Sequence, residues 1–367
     1  MQRRRARVIS IGSVKIGGSH PIAIQSMAKT TTADSEATVR QIHALTRAGC
    51  EIVRVAVKDL ADAAALRVIK RQIKIPLVAD IHFDWRLAIA AIESGVDKIR
   101  LNPGNIYRQQ EVARVVAALK SAKIPLRVGM NSGSLRPSRN ARQGMAARLV
   151  AGGMEYIRTI EKMKFHDIVI SLKASTVADT VQAYRMIATR CAYPLHLGVT
   201  ATGSPQQGAI KSAIACGMLL AEGIGDTLRV SLTADPVQEV VAAKAILEAV
   251  GQRSFGPQVI SCPTCGRCEV DLVSIVKELE TALASLRVNG LSGSTHKPAN
   301  PQTRKPIKVA VMGCVVNGPG EAREADIGIA FGKGRGMLFK KGRPVKTVPA
   351  QGCVELLIKE LKKAMRE

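Results

Sequence analysis

Aromatic side chains are scarce in this chain of 367 residues: one Trp, four Tyr and five Phe. Proteins that hold single-stranded nucleic acid need aromatic faces on which bases stack. The scarcity therefore argues against that class, although Lys and Arg outnumber Asp and Glu by 54 to 29 and the formal net charge is +25. The basic residues are also spread along the chain instead of gathered into one stripe. An anionic small substrate and an acidic partner protein account for the charge equally well. No apolar run approaches the roughly 20 residues that span a bilayer. The N-terminus, Met1-Gln-Arg-Arg-Arg-Ala-Arg7, runs into Val-Ile-Ser-Ile-Gly, not into the apolar core of a signal peptide. The expectation is a soluble, cytoplasmic protein with neither a membrane nor a nucleic acid as partner.

Cysteines are few but placed with purpose. Four of the eight, Cys50, Cys191, Cys216 and Cys353, are scattered and read as buried fillers. Two segments differ: Cys262-Pro-Thr-Cys265, and Met312-Gly-Cys-Val-Val-Asn-Gly-Pro-Gly-Glu321, whose cysteine is Cys314. Each follows a run rich in β-branched residues, which puts it on a turn at a strand tip. C-x2-C grips one metal centre, and Cys314 with the carboxylate of Glu321 in a Gly-Pro-Gly turn completes a set of four. Structural zinc prefers closed Cys and His shells. Three thiolates and one oxygen suit an iron–sulfur cluster with one labile corner. A zinc knuckle, or thiols that simply pack, is the alternative. Cys268 extends the first segment to C-x2-C-x2-C, but Glu269-Val-Asp-Leu-Val follows and reads as a helix start, so Cys268 is taken as a bystander.

The first 250 residues alternate β-rich runs with amphipathic stretches. The runs are Ile22–Met27, Glu51–Val57, Pro76–Phe83, Lys98–Asn102, Pro125–Asn131, Asp167–Lys173, Pro194–Thr200 and Thr227–Leu232. Helical patterns between them include Ser35–Ala48, Trp85–Ser94, Gln109–Ala122, Val177–Thr189, Gln207–Ala221 and Pro236–Val250. Eight such pairs predict an α/β fold, a (β/α)8 TIM-like barrel over 1–250. No G-x-G-x-x-G turn supports a doubly wound sheet instead. Barrel sites lie at the C-terminal ends of the strands, and polar residues collect there: Arg54, Asp80, His82, Arg100, Asn102, Arg127, Asn131, Lys173, His196, Arg229 and Ser231. Cations inside Val/Ile strands are costly to bury unless paired. A multiply charged anion gives them a shared reason, a diphosphate above all, since Arg matches phosphate with a bidentate fork. The two histidines rank below the arginines.

Gly251–Gly256 marks a boundary, and 251–367 reads as a small α+β domain. It holds the Cys262 strand, a helix over Val270–Leu286, the Cys314 strand, strands around Ile327–Phe331 and Val345–Val348, and a last helix over Val354–Met365. A Gly-, Ser- and Pro-rich linker occupies about 287–306.

Nearly end to end, the chain resembles the 4-hydroxy-3-methylbut-2-enyl diphosphate synthase family, in its compact bacterial form. The resemblance is carried by Pro21-Ile-Ala-Ile-Gln-Ser-Met27, Lys98-Ile-Arg-Leu-Asn-Pro-Gly-Asn105, Glu222-Gly-Ile-Gly-Asp-Thr-Leu-Arg-Val-Ser231, Cys262-Pro-Thr-Cys265 and Met312–Arg323. It implies reductive ring opening and dehydroxylation of 2-C-methyl-D-erythritol 2,4-cyclodiphosphate, a step of isoprenoid biosynthesis. It implies a [4Fe-4S] cluster on Cys262, Cys265, Cys314 and Glu321, and electrons from a flavodoxin or ferredoxin. Arg54, Arg100, Asn102, Arg127, Asn131 and Lys173 would hold the diphosphate, and Asn317 would face the reacting carbon. A homodimer with sites shared between subunits is also implied. One departure stands out: the family usually reads His-Leu-Gly-(Val/Ile)-Thr-Glu-Ala-Gly, and here His196-Leu-Gly-Val-Thr-Ala-Thr-Gly203 puts Ala201 at the glutamate position. Alanine cannot move a proton, and Asp80 is the candidate substitute. The competing classes are a non-redox phosphate- or pterin-binding barrel transferase and a zinc-bearing nucleic-acid-binding protein.

Overall fold

Apolar runs alternating with capped helices give the first two thirds of the chain a strand–helix rhythm. The computed structural model describes residues 2–135, 143–200, 203–288 and 306–365. An antiparallel hairpin comes first, β1 (Ile9–Ile11) with β2 (Val14–Ile16). Then follow β3 (Ala23–Met27), α1 (Ser35–Ala48), β4 (Ile52–Val57), α2 (Leu60–Gln72), β5 (Leu77–Ile81), α3 (Trp85–Glu93), β6 (Lys98–Leu101) and α4 (Gln109–Ala122). The series continues with β7 (Leu126–Asn131), α5 (Met145–Lys162), β8 (Ile168–Lys173), α6 (Val177–Ala188), β9 (His196–Leu197), α7 (Pro205–Ala221), β10 (Thr227–Leu228) and α8 (Pro236–Ala249). Strands β3 to β10 pair in the order β8-β7-β6-β5-β4-β3-β10-β9. A parallel bridge between Ile170 and Leu195 brings β8 to the chain entering β9. The eight parallel strands thus make the (β/α)8 barrel that the pattern predicts.

Local chemistry fixes which end of the barrel is open. Asp34, Asp59, Asp84, Thr176 and Asp235 each cap the helix that follows them by accepting from a backbone N–H of its first turn. These caps start helices just after the strands' C-terminal ends. At the opposite end the β1–β2 hairpin forms a plug, where Ile9, Ile11 and Ile16 pack on Ala23, Ile52, Val78 and Val169. Only the C-terminal end is left for polar chemistry.

Strands β9 and β10 have two residues each, shorter than the runs predicted at Pro194–Thr200 and Thr227–Leu232. The reason is visible at Gly198, where an added Cβ would stand 2.5 Å from the Lys173 ammonium nitrogen and 2.6 Å from the Arg229 carbonyl. Regular pairing yields there to a buried cation.

The chain divides into two units, Met1–Arg253 and Ser254–Glu367. The second holds β11 (Gln258–Ser261), α9 (Leu272–Val288), β12 (Lys308–Met312), α10 (Gly318–Arg323), β13 (Ile327–Gly332), β14 (Arg335–Lys340), β15 (Arg343–Pro349) and α11 (Cys353–Ala364). Its five-stranded sheet runs in that order, with β11, β12 and β13 parallel and the last two pairings antiparallel. One sheet face packs on α9 and α11 through Leu279, Leu283, Val309, Val311, Ile329, Leu357 and Leu361. On the other, Ala310 and Ala330 lie beside Met312 and Phe339 and meet Ala322 of α10 and Ala325 just after it, small residues on both sides that let α10 lie close. The Gly-Pro-Gly segment predicted as a turn is therefore the first turn of α10, with Pro319 at a position where a missing N–H costs little. The pattern also leaves β14 unassigned, as it does α2 and α5. The predicted linker falls almost wholly outside the described residues.

Gly225 (φ +128°) meets Leu197 closely; a Cβ there would lie 2.5 Å from its Cδ1. Gly225→Ala is expected to cost roughly 1–3 kcal/mol. A urea titration followed by circular dichroism reads this as a lower midpoint with an unchanged slope.

Candidate functional site

Five cations are buried within the barrel strands: Arg54, Lys98, Arg100, Arg127 and Lys173. Each sits on a strand made mostly of Val, Ile, Leu and Met, with Lys98 and Arg100 on the same strand, so the main chain fixes its height. Strand register sets Arg100 beside Arg127 and Asp80 beside Arg100. Asp80 is the carboxylate that binds the group together. One oxygen accepts from Arg100 Nη1 at 2.8 Å, and the other lies 3.4 Å from Arg54 Nε. Arg100 also donates to the Gly129 carbonyl at 2.9 Å, and a Cβ on Gly129 would fall 2.7 Å from Arg100 Nε. Glycine at 129 is thus required by the guanidinium.

A second carboxylate anchors the rim. Glu239, buried in the first turn of α8, pairs with Arg229 at 3.2 Å and Lys29 at 3.1 Å and accepts from Ser26 Oγ at 3.1 Å. The sequence reading missed this residue, and Ser26 and Lys29 with it. Its signal was an acid on the buried face of the helix, beside Val240, Ala243 and Leu247.

Among the described residues, no salt bridge reaches Lys98, Arg127 or Lys173, and Lys98 Nζ and Arg127 Nε and Nη1 are buried without a hydrogen-bond partner. Burial first, and neighbouring cations second, push Lys98, Arg127 and Lys173 well below their ordinary basicity. Burial lowers Arg54 to about 10 despite Asp80. A ligand that brings negative charge would relieve all of these together.

Asp80 itself behaves in the opposite way. Burial alone would raise its carboxyl, but Arg54, Arg100 and Arg127 more than reverse this and hold it at about 2. It stays ionised at neutral pH, the form in which it pairs with Arg54 and Arg100. The proton-handling role expected of it in place of a glutamate at position 201 would need a ligand to change that balance. Ala201 itself lies outside the described residues.

The other expected residues surround this centre. The Asn102 side chain donates to Ser134 Oγ at 2.9 Å and accepts from Gly104 N at 3.1 Å. The Asn131 carbonyl accepts from Ser134 Oγ at 3.0 Å. His82 is half-buried, and its carbonyl accepts from Asn105 Nδ2 at 2.9 Å. His196 is fully buried, with Nδ1 2.8 Å from Thr227 Oγ1, and burial among cations keeps it neutral. Ser231 is half-buried at the rim.

The cysteines gather at one end of the second unit's sheet. Cys262 follows β11, and Cys314 follows β12, its parallel neighbour. The Cys262 sulfur accepts from Gly313 N at 3.4 Å. Backbone N–H groups of Asn317 and Val316, with that of Gly318, lower the Cys314 thiol, as suits a thiolate ligand. Thr264 holds φ +64° between Cys262 and Cys265. A β-branched residue is strained in that region by roughly 1–2 kcal/mol. Cys265 and Glu321 are exposed, and Asn317 caps α10 without using its side chain. No group of three His, Cys, Asp or Glu among the described residues is close enough for a single metal ion. A four-iron cube sets its thiolates farther apart, and the donor types present fit it. Cys268 packs against the unit's core, donates to the Val270 carbonyl at 3.3 Å and presses on Gly313.

Asp80→Asn would leave Arg54 and Arg100 buried without their counter-charge, a change expected to cost about 3–5 kcal/mol. The pH signature follows from the sign of the shift. Because the folded value is depressed, Asp80 stabilises above the unfolded carboxyl range near 3.8 and loses that contribution as pH falls toward about 2. Equilibrium unfolding from pH 5 to 2 should show a shallower acid limb in the variant.

Two family models match the chain, the GcpE TIM-barrel domain over residues 6–244 and the GcpE protein C-terminal domain over residues 258–363. A 4-hydroxy-3-methylbut-2-en-1-yl diphosphate synthase (flavodoxin) of Clostridium perfringens is 51% identical over 361 residues, covering 98% of this chain and 99% of that one. The protein of the same description from Thermodesulfovibrio yellowstonii is 49% identical, covering 99% and 100%. Among solved structures, a dihydropteroate synthase of Xanthomonas albilineans matches with a TM-score of 0.51 at 16% identity, over 67% of this chain and 98% of that one. That likeness concerns the barrel fold alone. With both domains matched in order and half the residues shared over nearly the whole length, this chain belongs to the GcpE family.

Proposed function

We propose that the chain is an iron–sulfur oxidoreductase that opens the ring of 2-C-methyl-D-erythritol 2,4-cyclodiphosphate and removes a hydroxyl, giving 4-hydroxy-3-methylbut-2-enyl diphosphate. The observation that carries this reading is the surplus of buried cations over carboxylates in the barrel mouth. It calls for a compact, multiply charged anion, and the relatives' printed names supply a diphosphate.

In this reading Arg54, Arg100, Arg127 and Lys173 hold the diphosphate oxygens, and Asp80 keeps the first two aimed. Arg229 stays tied to Glu239 at the rim, and Ser231, Asn102, Asn131 and His82 shape the edge. Cys262, Cys265, Cys314 and Glu321 would hold a [4Fe-4S] cluster, which supplies one-electron steps and Lewis acidity when bound. Glu321 would be the one oxygen donor beside three thiolates, the corner at which the cluster's Lewis acidity would be open to substrate. Asn317, with its side chain unspent, orients the substrate there. The reaction takes up two electrons and one proton and releases one water, so a carrier protein must visit twice. Flavodoxin, printed in the relatives' names, fits that part, and ferredoxin is the alternative carrier. The homodimer with shared sites belongs to the same proposal, and sedimentation equilibrium tests it. A non-redox transferase would share the barrel but would leave the cysteine set without a purpose.

Anaerobic reconstitution should give about four irons and four sulfides per chain. Product should form from the cyclic diphosphate with reduced methyl viologen. Cys314→Ser is expected to lose most of the iron and at least about a hundredfold in turnover. Zinc in place of iron and sulfide would overturn the redox reading.

A further inference from the structure

The cysteine end of the second unit carries more than ligands. Val315 and Val316, directly after Cys314, are 59% and 60% exposed. Two adjacent solvent-facing valines in a loop that presents a thiol are an apolar spot at the surface. The sheet register shows what borders it. Met312 of β12 pairs with Ala330 of β13, so the chain beyond both strands leaves the sheet at the same end, Cys314 on one side and Gly332 on the other. Val315 packs directly on Gly332, where a Cβ would collide with it. The turn Lys333-Gly334 then leads to Arg335, which pairs with Gly332 and with Pro349.

Lys333 and Arg335 are exposed beside the valines, and Arg267 is exposed in the loop between Cys265 and Cys268. The nearby carboxylate of Glu269 is occupied by the backbone N–H of Lys333, which ties the two loops together. The result is a small apolar centre with a cationic rim, directly over the thiols. Electron-transfer encounters use such patches: small, short-lived, oriented by charge and sealed by a few apolar contacts.

We propose that this face is the docking surface for an acidic one-electron carrier protein. Arg267, Lys333 and Arg335 steer it, and Val315 with Val316 forms the contact through which an electron passes inward. Each encounter oxidises the carrier by one electron, and two encounters supply one turnover. This inference rests on the redox reading above.

The β14–β15 hairpin contains its own control. Lys333 and Arg335 stand at the cysteine end, whereas Arg343 and Lys346 lie in the other half of the hairpin and are equally exposed. Lys333→Glu/Arg335→Glu and Arg343→Glu/Lys346→Glu change the net charge by the same amount. The measurement is the affinity of the reconstituted holoenzyme for oxidised flavodoxin, by calorimetry at low and at physiological salt. The first pair should weaken binding at least about tenfold and flatten its salt dependence, with Arg267→Glu adding to the effect, while the second stays within about twofold. Far-ultraviolet circular dichroism confirms that both variants fold. Equal weakening by both pairs, no change in either, or no binding by the unmodified protein would overturn the docking face. Turnover of the unmodified holoenzyme with reduced methyl viologen judges the redox reading separately, because that small donor needs no docking surface.

Discussion

The Asp80 carboxylate, gripped by Arg54 and Arg100 in the barrel centre, is the contact on which the site depends. Like charges gathered in a low-dielectric interior repel strongly, and five cations share that interior. One carboxylate makes the arrangement possible without neutralising it. The remaining charge is held in readiness, with donors fixed in place by parallel strands before any ligand arrives. Such preorganisation lets an anion bind without first rearranging the protein.

The two units divide the work by physical character. The barrel is rigid and buried on both strand faces, with its bottom sealed by an isoleucine plug. It offers fixed charge. The second unit has a thin alanine-tiled face under α10 and presents its cysteines on loops at a strand end. Loops leave thiols and a carboxylate near the surface, the placement that the proposed cluster and its electron donor would need. The strained Thr264 lies between two of the cysteines proposed as ligands, where a bound cluster would over-determine the loop.

Much of this was legible in the sequence. Helices Ser35–Ala48 and Gln109–Ala122 match their predicted bounds because their apolar periodicity is uninterrupted. The cationic strand residues were legible because Arg and Lys are out of place among Val and Ile. What escaped notice was partnership. Glu239 lies more than two hundred residues from Ser26, with which it bonds, and no local pattern links them. Asp80 was noticed, but not its pairing with Arg54 and Arg100, which come from other strands. The short β9 and β10 were overextended because the Val and Leu runs continue past the point where Lys173 claims the space. The helix α10 was hidden behind Gly and Pro, which read as a turn until the alanines beneath it are seen.

The most direct test of the account is calorimetric titration of the cyclic diphosphate into the protein and into Arg127→Met, at low and at physiological salt. Among the described residues Arg127 makes no salt bridge, and Asp80 keeps Arg54 and Arg100 as its paired cations in the variant, so the change falls chiefly on charge directed at the ligand. The account predicts salt-sensitive binding by the unmodified protein and at least about tenfold weaker binding in the variant. Absence of binding by the unmodified protein, or equal affinity in both, would contradict it.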